Sequence, residues 1–197
     1  MPQEELSHAF KVYYEEMDRC INSRCYWSLL HVVLALPDVC SALETDDPRT
    51  KSGERYMNWC GKYLANPAIS KEEWYEMRCG ILHQGHTLSG KARYVKYVFG
   101  QQAPDGTKDH NRVDADKKLH LDVGALASDV KAAMVRWWSD VSASDARKRQ
   151  VEERRKMLVW EQAGPTGVRI LRTDQASATI NPAIPGTIIN NNKTSSP

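Results

Sequence analysis

The side chains best suited to chemistry lie in the stretch Arg78-Cys-Gly-Ile-Leu-His83. It combines a guanidinium, which stays charged at physiological pH, with an imidazole, whose charge changes near neutral pH. Such a pair can grip a phosphate and move a proton. On an ideal helix the two side chains project about 140° apart and flank a face, yet both are long enough to converge on one small anion. The spacing therefore indicates an anion site, and a second copy of the helix packed opposite would complete it.

A purely structural role is the main alternative. Arg78 can pair with an acidic neighbour such as Glu76 or Asp38, while His83 caps or fills the end of its helix. Both substitutions would then lower stability without removing an activity. The spacing alone does not decide between the two interpretations.

Metal binding and cysteine chemistry are weaker alternatives for the same segment. Cys79, His83 and His86 offer the sulfur and imidazole that zinc prefers, but no fourth ligand is apparent. Cys79 with His83 could form a nucleophile and base, yet a buried, inert thiol is the simpler interpretation. We therefore expect neither a metal nor a cofactor.

Composition limits the kinds of partner and location. The 197 residues suit one domain, and 41% hydrophobic with 26% charged residues is ordinary for a soluble globular protein. A net charge of +2 provides no broad basic field, so any RNA site would be local. The five cysteines form no CxxC pair, and no apolar run approaches membrane-spanning length. These features predict a cytoplasmic protein with free thiols and no membrane contact.

Hydrophobic periodicity predicts a mainly α fold. Ser70 followed by Glu73 predicts a capping box at the start of the helix that carries Arg78, and Gly85 is expected to end it. Pro37 is expected to interrupt the second helix. The predicted helices cover residues 3–19, 26–36 with a short continuation over 38–44, 54–64, 70–85, 125–141 and 144–162.

The pattern changes between residues 92 and 123. Tyr94–Phe99 is rich in aromatic and β-branched residues, and Leu119–Val123 alternates in polarity. We interpret them as two strands of a β-hairpin insertion with a long connection. The prediction is thus a helical domain over residues 1–162, followed at 163–197 by a flexible C-terminal tail too polar and too rich in proline and glycine to supply a core.

The sequences of three segments resemble those of the HEPN superfamily, small helical-bundle proteins of prokaryotic toxin, CRISPR and antiphage systems. Met77-Arg-Cys-Gly-Ile-Leu-His-Gln-Gly85 is similar to the arginine-x4-histidine signature of an uncharacterised bacterial HEPN-like group. Leu36-Pro-Asp-Val-Cys40 and Tyr56-Met-Asn-Trp59 are similar to two elements that precede that signature. The resemblance covers roughly residues 1–143.

The resemblance implies a metal-independent endoribonuclease whose site is shared across a homodimer. Arg78 and His83 would be catalytic, and Cys79, Gln84 and His86 would contact the substrate, single-stranded RNA. It further implies a role in bacterial stress or antiphage defence, with an antitoxin or defence protein as a possible partner. The best-known nucleases of the superfamily carry a polar residue directly after the arginine, where this chain has Cys79. A catalytically silent module that binds a partner protein, nucleotide or RNA is therefore the alternative function.

The only dense basic cluster, from Arg147 to Lys156, admits two interpretations. Its cations could contact phosphates, and binding would then weaken with salt. Glu152 and Glu153 interrupt it, however, which favours an ordinary solvated helix of mixed charge.

Overall fold

The computed structural model describes residues 10–45, 50–88, 93–101, 109–156, 158, 160–163 and 169–172. The chain divides into two compact units, Met1–Lys156 and Met157–Pro197. The first unit is mainly α-helical with a small three-stranded sheet, which confirms the predicted fold class. Its helices are α1 (Lys11–Asn22), α2 (Tyr26–Glu44), α3 (Ser52–Tyr63), α4 (Lys71–Cys79), a π-helical turn (Gly80–Gln84), α5 (Val123–Ser142) and α6 (Asp145–Arg155).

Helix α2 is the centre of the bundle, because α1, α3, α5 and α6 all contact it. Its sequence is apolar nearly all round, and nine of its residues are buried. The expected interruption at Pro37 is wrong, because α2 runs without a break to Glu44. Proline removes one backbone donor, but a helix packed on several sides retains enough contacts to continue through it.

Among the described residues, α2 is the one helix that is long and apolar enough to cross a membrane, judged by length and composition alone. Half of the apolar window is buried within the first unit. A buried core helix has the same composition as a membrane span.

Helix α4 begins as its sequence predicts. The Ser70 hydroxyl accepts a hydrogen bond from the Glu73 amide at 3.2 Å, and the Glu73 carboxylate accepts one from the Ser70 amide at 2.7 Å. Gly85 ends the segment with a φ of 66°, a left-handed conformation that glycine adopts without strain. The last turn before it differs from the expectation, because Gly80–Gln84 is π-helical rather than α-helical.

The β insertion is confirmed, but its strands pair differently from the prediction. Strands β1 (Lys96–Gly100) and β3 (Lys118–Asp122) are parallel neighbours and not the two arms of a hairpin. The short strand β2 (Arg112–Val113) pairs antiparallel with β3, so the hairpin is formed by β2 and β3. A connection as long as the one between β1 and β3 permits a crossover to a parallel neighbour.

The C-terminal end of the predicted last helix is wrong. Helix α6 ends at Arg155, and strand β4 (Trp160–Ala163) follows where helix was expected to about residue 162. The apolar and β-branched run at this point favours a strand over the continuation of a strongly polar helix. Strand β4 pairs antiparallel with β5 (Arg169–Arg172) inside the second unit. Residues 3–9 of the predicted first helix lie outside the described residues. The rest of the predicted tail does so too.

Candidate functional site

Arg78 and His83 contact each other. The Arg78 Nη1 atom lies 2.6 Å from Nε2 of His83, and its Nη2 atom lies 2.6 Å from Oδ2 of Asp38. The site therefore joins helix α2, which carries Asp38, to the end of α4 and the π-helical turn. The carboxylate, the guanidinium and the imidazole are thus linked by consecutive hydrogen bonds.

The π-helical turn brings the arginine and the histidine together. The amides of Gly85 and His86 both donate to the carbonyl of Gly80, the first of these bonds linking residues five positions apart. Such a bond adds a residue to the turn and reduces the angle between side chains five positions apart. The sequence prediction, which assumed an α-helix, placed Arg78 and His83 too far apart around the axis for this reason.

The hydrogen-bond partners fix the tautomer of His83 in this contact. A guanidinium carries only donors, so Nε2 of His83 must accept from Arg78. The imidazole is then neutral, with its proton on Nδ1. The side chain of His83 is exposed, so solvent or a ligand can reach it.

Asp38 neutralises and orients Arg78. The side chains of Arg78 and Asp38 are only 16% and 23% exposed. Partial burial alone would lower the pKa of Arg78, but the hydrogen bond and charge of Asp38 outweigh it and raise that pKa. This is the contact that the structural alternative predicts for Arg78, with Asp38 rather than Glu76 as the acidic partner. Glu76 instead accepts a hydrogen bond from the hydroxyl of Tyr97 at 3.3 Å.

Cys79 lies beside the same guanidinium, with its Sγ 4.0 Å from Nη1 of Arg78. A hydrogen bond with this thiol raises the pKa of the Tyr75 hydroxyl. The ring of Tyr75 also lies against Gly53 in α3, where a Cβ atom would stand 2.6 Å from the Tyr75 oxygen. A side chain at position 53 would therefore displace the ring of Tyr75.

Gln84 and His86 are the other two residues predicted to contact the substrate. Gln84 is exposed at the end of the π-helical turn. His86 packs against Gly80, and its Nδ1 accepts a hydrogen bond from the Leu88 amide at 3.3 Å. The structure thus unites Arg78, His83 and Cys79, whereas His86 faces the backbone of its own loop. Within the described ranges, no group of three or more His, Cys, Asp and Glu side chains is positioned to hold a metal ion.

Sequence reasoning did not assign Asp38 to a functional site, although it recognised the residue as a possible structural partner. The signal lies in the segment Leu36–Cys40. A carboxylate next to an in-helix proline on the most apolar helix of the chain is costly to bury unless a cation pairs with it.

Two cations of the basic cluster in α6, Arg147 and Arg154, contact other helices of the bundle. Arg147 pairs with Glu44 of α2 and, at 3.2 Å, with Asp140 of α5. Arg154 donates to the carbonyls of Leu43 and Thr45 at the end of α2. These contacts support the interpretation of α6 as a packed, partly solvated helix.

Comparison with family models, curated proteins and solved structures finds no match to this chain.

Proposed function

We propose that this protein is a metal-independent endoribonuclease of the HEPN type, acting on single-stranded RNA as a cytoplasmic homodimer in bacterial stress or antiphage defence. The observation that carries the proposal is the 2.6 Å contact between Arg78 and the exposed His83. A permanent cation that is only 16% exposed thus contacts a surface histidine able to accept a proton.

RNA supplies its own nucleophile, the 2′-hydroxyl next to the scissile phosphate. Once a bound phosphate takes over Nη1 of Arg78, Nε2 of His83 is free to remove the proton of this hydroxyl, whose oxygen attacks phosphorus. The 5′-oxygen leaves and takes a proton, and the products are a 2′,3′-cyclic phosphate and a 5′-hydroxyl. Arg78 stabilises the negative charge that grows on the phosphate oxygens. In a homodimer, the partner copy supplies a second histidine as the acid.

Asp38 prepares Arg78 for this role. It holds Nη2, so the guanidinium presents its Nη1 edge to His83 and to an incoming phosphate. Fixing a catalytic cation before the substrate arrives removes reorganisation from the reaction itself.

The same ion pair supports a second candidate, a catalytically silent HEPN-like module that binds a partner protein, nucleotide or RNA. Asp38 already neutralises Arg78, and Cys79 stands where the best-known nucleases have a polar residue. Under this alternative, Arg78→Ala weakens binding or dimerisation, and no cleavage exists to be lost.

Cleavage of a labelled single-stranded RNA in EDTA separates the two functions. The ribonuclease leaves 2′,3′-cyclic phosphate ends, and His83→Ala slows it by at least about 100-fold, the usual contribution of an acid or base. An oligonucleotide with 2′-deoxyribose at the cleavage position is not cut. Because His83 is exposed, the melting temperature of the variant should match that of the wild type. Cleavage by His83→Ala at the wild-type rate would show that the activity belongs to a contaminant or to another site.

A further inference from the structure

An aromatic cavity of about 260 Å³ lies at the beginning of α2, away from the Asp38–Arg78–His83 site. Helix α2 and strand β1 form most of its wall. Its floor includes Leu30 and Val123, which are 1% and 2% exposed. The lining is completed by Tyr26, Trp27, Phe99, Gly100 and Gln101.

Trp27 is the distinctive residue of this cavity. Its side chain is 54% exposed, whereas the other tryptophans of the first unit, residues 59, 74, 137 and 138, are at most 3% exposed. His31 packs edge-on against the indole with ring centroids 4.8 Å apart, and its own Nδ1 lies 2.8 Å from the carbonyl oxygen of Trp27. The indole is therefore a large apolar ring held in place at the surface.

The cavity combines apolar walls with few polar groups, the usual composition of a ligand site. Three aromatic residues, Tyr26, Trp27 and Phe99, suit a flat ring. Exposed Gln101 brings an amide that can both donate and accept hydrogen bonds at the edge of such a ring. Apolar ring surfaces beside an amide are complementary to a nucleic-acid base.

The position of Trp27 on α2 relates the cavity to the first site. Trp27 and Asp38 are eleven positions apart, which places them about 20° apart around an ideal helix and about 16 Å apart along its axis. His31 lies about 40° from Trp27 on the same stripe. One side of α2 therefore carries the exposed ring of Trp27 at one end and, beyond buried Leu34, the partly buried carboxylate that orients Arg78 at the other.

We propose that Trp27 and its cavity bind an unpaired base of the RNA strand, a few nucleotides from the phosphate that Arg78 and His83 contact. This inference rests on the proposed ribonuclease function for the identity of the strand. Stacking on an aromatic side chain suits every base, so the site strengthens binding to single strands without selecting a sequence. Long RNA gains from the cavity, whereas a dinucleotide is too short to reach it.

The test uses full-length protein carrying His83→Ala, so that the RNA stays intact. Fluorescence anisotropy measures the affinity for a labelled octaadenylate at one fixed, low salt concentration. Adding Trp27→Ala should weaken binding about tenfold, the loss expected for one stacked base, while Trp27→Phe should retain most of the affinity. Val113→Ala is the matched control, because Val113 is a comparably exposed apolar residue at 49% and lies on β2.

A second probe isolates the base. An abasic octamer with the same sugar–phosphate backbone should bind more weakly than octaadenylate and should not distinguish Trp27→Ala from its parent. In the protein with His83 intact, Trp27→Ala should raise KM for the octamer and leave cleavage of a dinucleotide unchanged.

Three results would overturn the inference. Trp27→Ala binds octaadenylate as tightly as its parent, or it weakens the abasic octamer equally, or it converts a dimer into a monomer in sedimentation velocity, which would make Trp27 a subunit contact. The ribonuclease proposal fails separately, if no RNA is cut or if His83→Ala cuts normally. Binding of octaadenylate through Trp27 would stand in that case.

Discussion

The carboxylate of Asp38 and the guanidinium of Arg78 meet at 2.6 Å although 40 positions separate them in the chain. Both side chains are largely withdrawn from water, so removing one leaves a poorly solvated charge. We expect Asp38→Ala to lower the free energy of unfolding by about 2 kcal/mol, and Asp38→Asn to lower it by less, because the amide oxygen still accepts a hydrogen bond.

Urea denaturation measures both variants. Asp18→Ala is the matched control, because Asp18 forms an ion pair of the same length with Lys131 but is 59% exposed. A pair in this setting contributes about 1 kcal/mol or less. Equal losses for Asp38→Ala and Asp18→Ala would contradict the structural importance of the Asp38–Arg78 contact.

Arg78→Lys tests whether the fork of the guanidinium is needed. Lysine keeps the charge but has a single side-chain nitrogen. This nitrogen cannot occupy the positions of both Nη1, which contacts His83, and Nη2, which contacts Asp38. Under the proposed function, the rate of RNA cleavage at saturating substrate should fall about 100-fold, comparable to the loss of one oriented charge in the transition state. Melting should change little, since the lysine can still pair with Asp38. A variant that cuts RNA as fast as wild type would show that position 78 needs only a positive charge.

Gly80→Ala tests the π-helical turn. A Cβ atom at this position would lie 2.8 Å from the carbonyl oxygen of His86, which is backbone and cannot easily move. We expect a loss of about 1–3 kcal/mol in unfolding free energy, as for other overpacked positions, together with reduced RNA cleavage because His83 shifts.

Gly61→Ala is the matched control for that variant. It also lies in a helix, but its new Cβ would meet only the side chain of Lys71, whose Cδ lies 3.1 Å away. Replacing glycine by alanine within a helix gains up to about 1 kcal/mol, so this variant should be as stable as wild type or more so. If both alanines destabilise the protein equally, crowding against His86 is not the reason for glycine at position 80.

The features that local chemistry controls were predictable from sequence. The capping box of Ser70 and Glu73 and the left-handed end at Gly85 depend on residues within one turn of each other, and both are as expected. The pairing of β1 with β3 depends on contacts between distant segments. No local pattern distinguishes a parallel partner from a hairpin arm, so the strands were found and their relationship was not.

The candidate site was predictable in its residue types but not in its geometry. The spacing of Arg78 and His83 suggested a shared anion site, and the structure places the two side chains in contact. Their contact depends on a π-helical turn, which forms where Gly80 tolerates the close approach of His86. This approach is a tertiary feature, and so is the arrival of Asp38 from another helix.

Acid should weaken the β insertion through Asp114. Its carboxylate accepts hydrogen bonds from His120 at 2.9 Å and from the Lys118 amide at 2.9 Å, and these contacts lower its pKa to about 2. The stabilisation is present above the ordinary aspartate pKa of about 3.8 and is lost as the pH falls towards about 2.

Urea denaturation of wild type and Asp114→Asn across this range tests the prediction. Asp114→Asn should be the less stable protein at pH values above about 4, and the difference should shrink as the pH approaches about 2, where about half of the wild-type carboxyl groups are protonated. A difference that stays constant with pH would mean that the charge of Asp114 contributes nothing.

Arg147 should contribute to the stability of the fold and not to RNA binding. It links α6 to α2 and α5 through Glu44 and Asp140, and the same Glu44 accepts a hydrogen bond from the indole of Trp137 at 2.9 Å. Although burial opposes the charge, hydrogen bonds to Asp140 and Glu44 raise the pKa of Arg147. We expect Arg147→Ala to lower the free energy of unfolding by about 1–2 kcal/mol.

The salt dependence of RNA binding tests whether α6 contacts phosphates. Each cation that pairs with a phosphate adds roughly 0.7 to the slope of log affinity against log salt concentration for a single strand. Because Arg147 is committed to carboxylates of the bundle, Arg147→Ala should leave this slope unchanged. Arg149→Ala, which alters an exposed cation two positions away, should leave it unchanged as well, because the proposed RNA path follows α2. A reduced slope for Arg149→Ala would place phosphates on α6 and contradict that path.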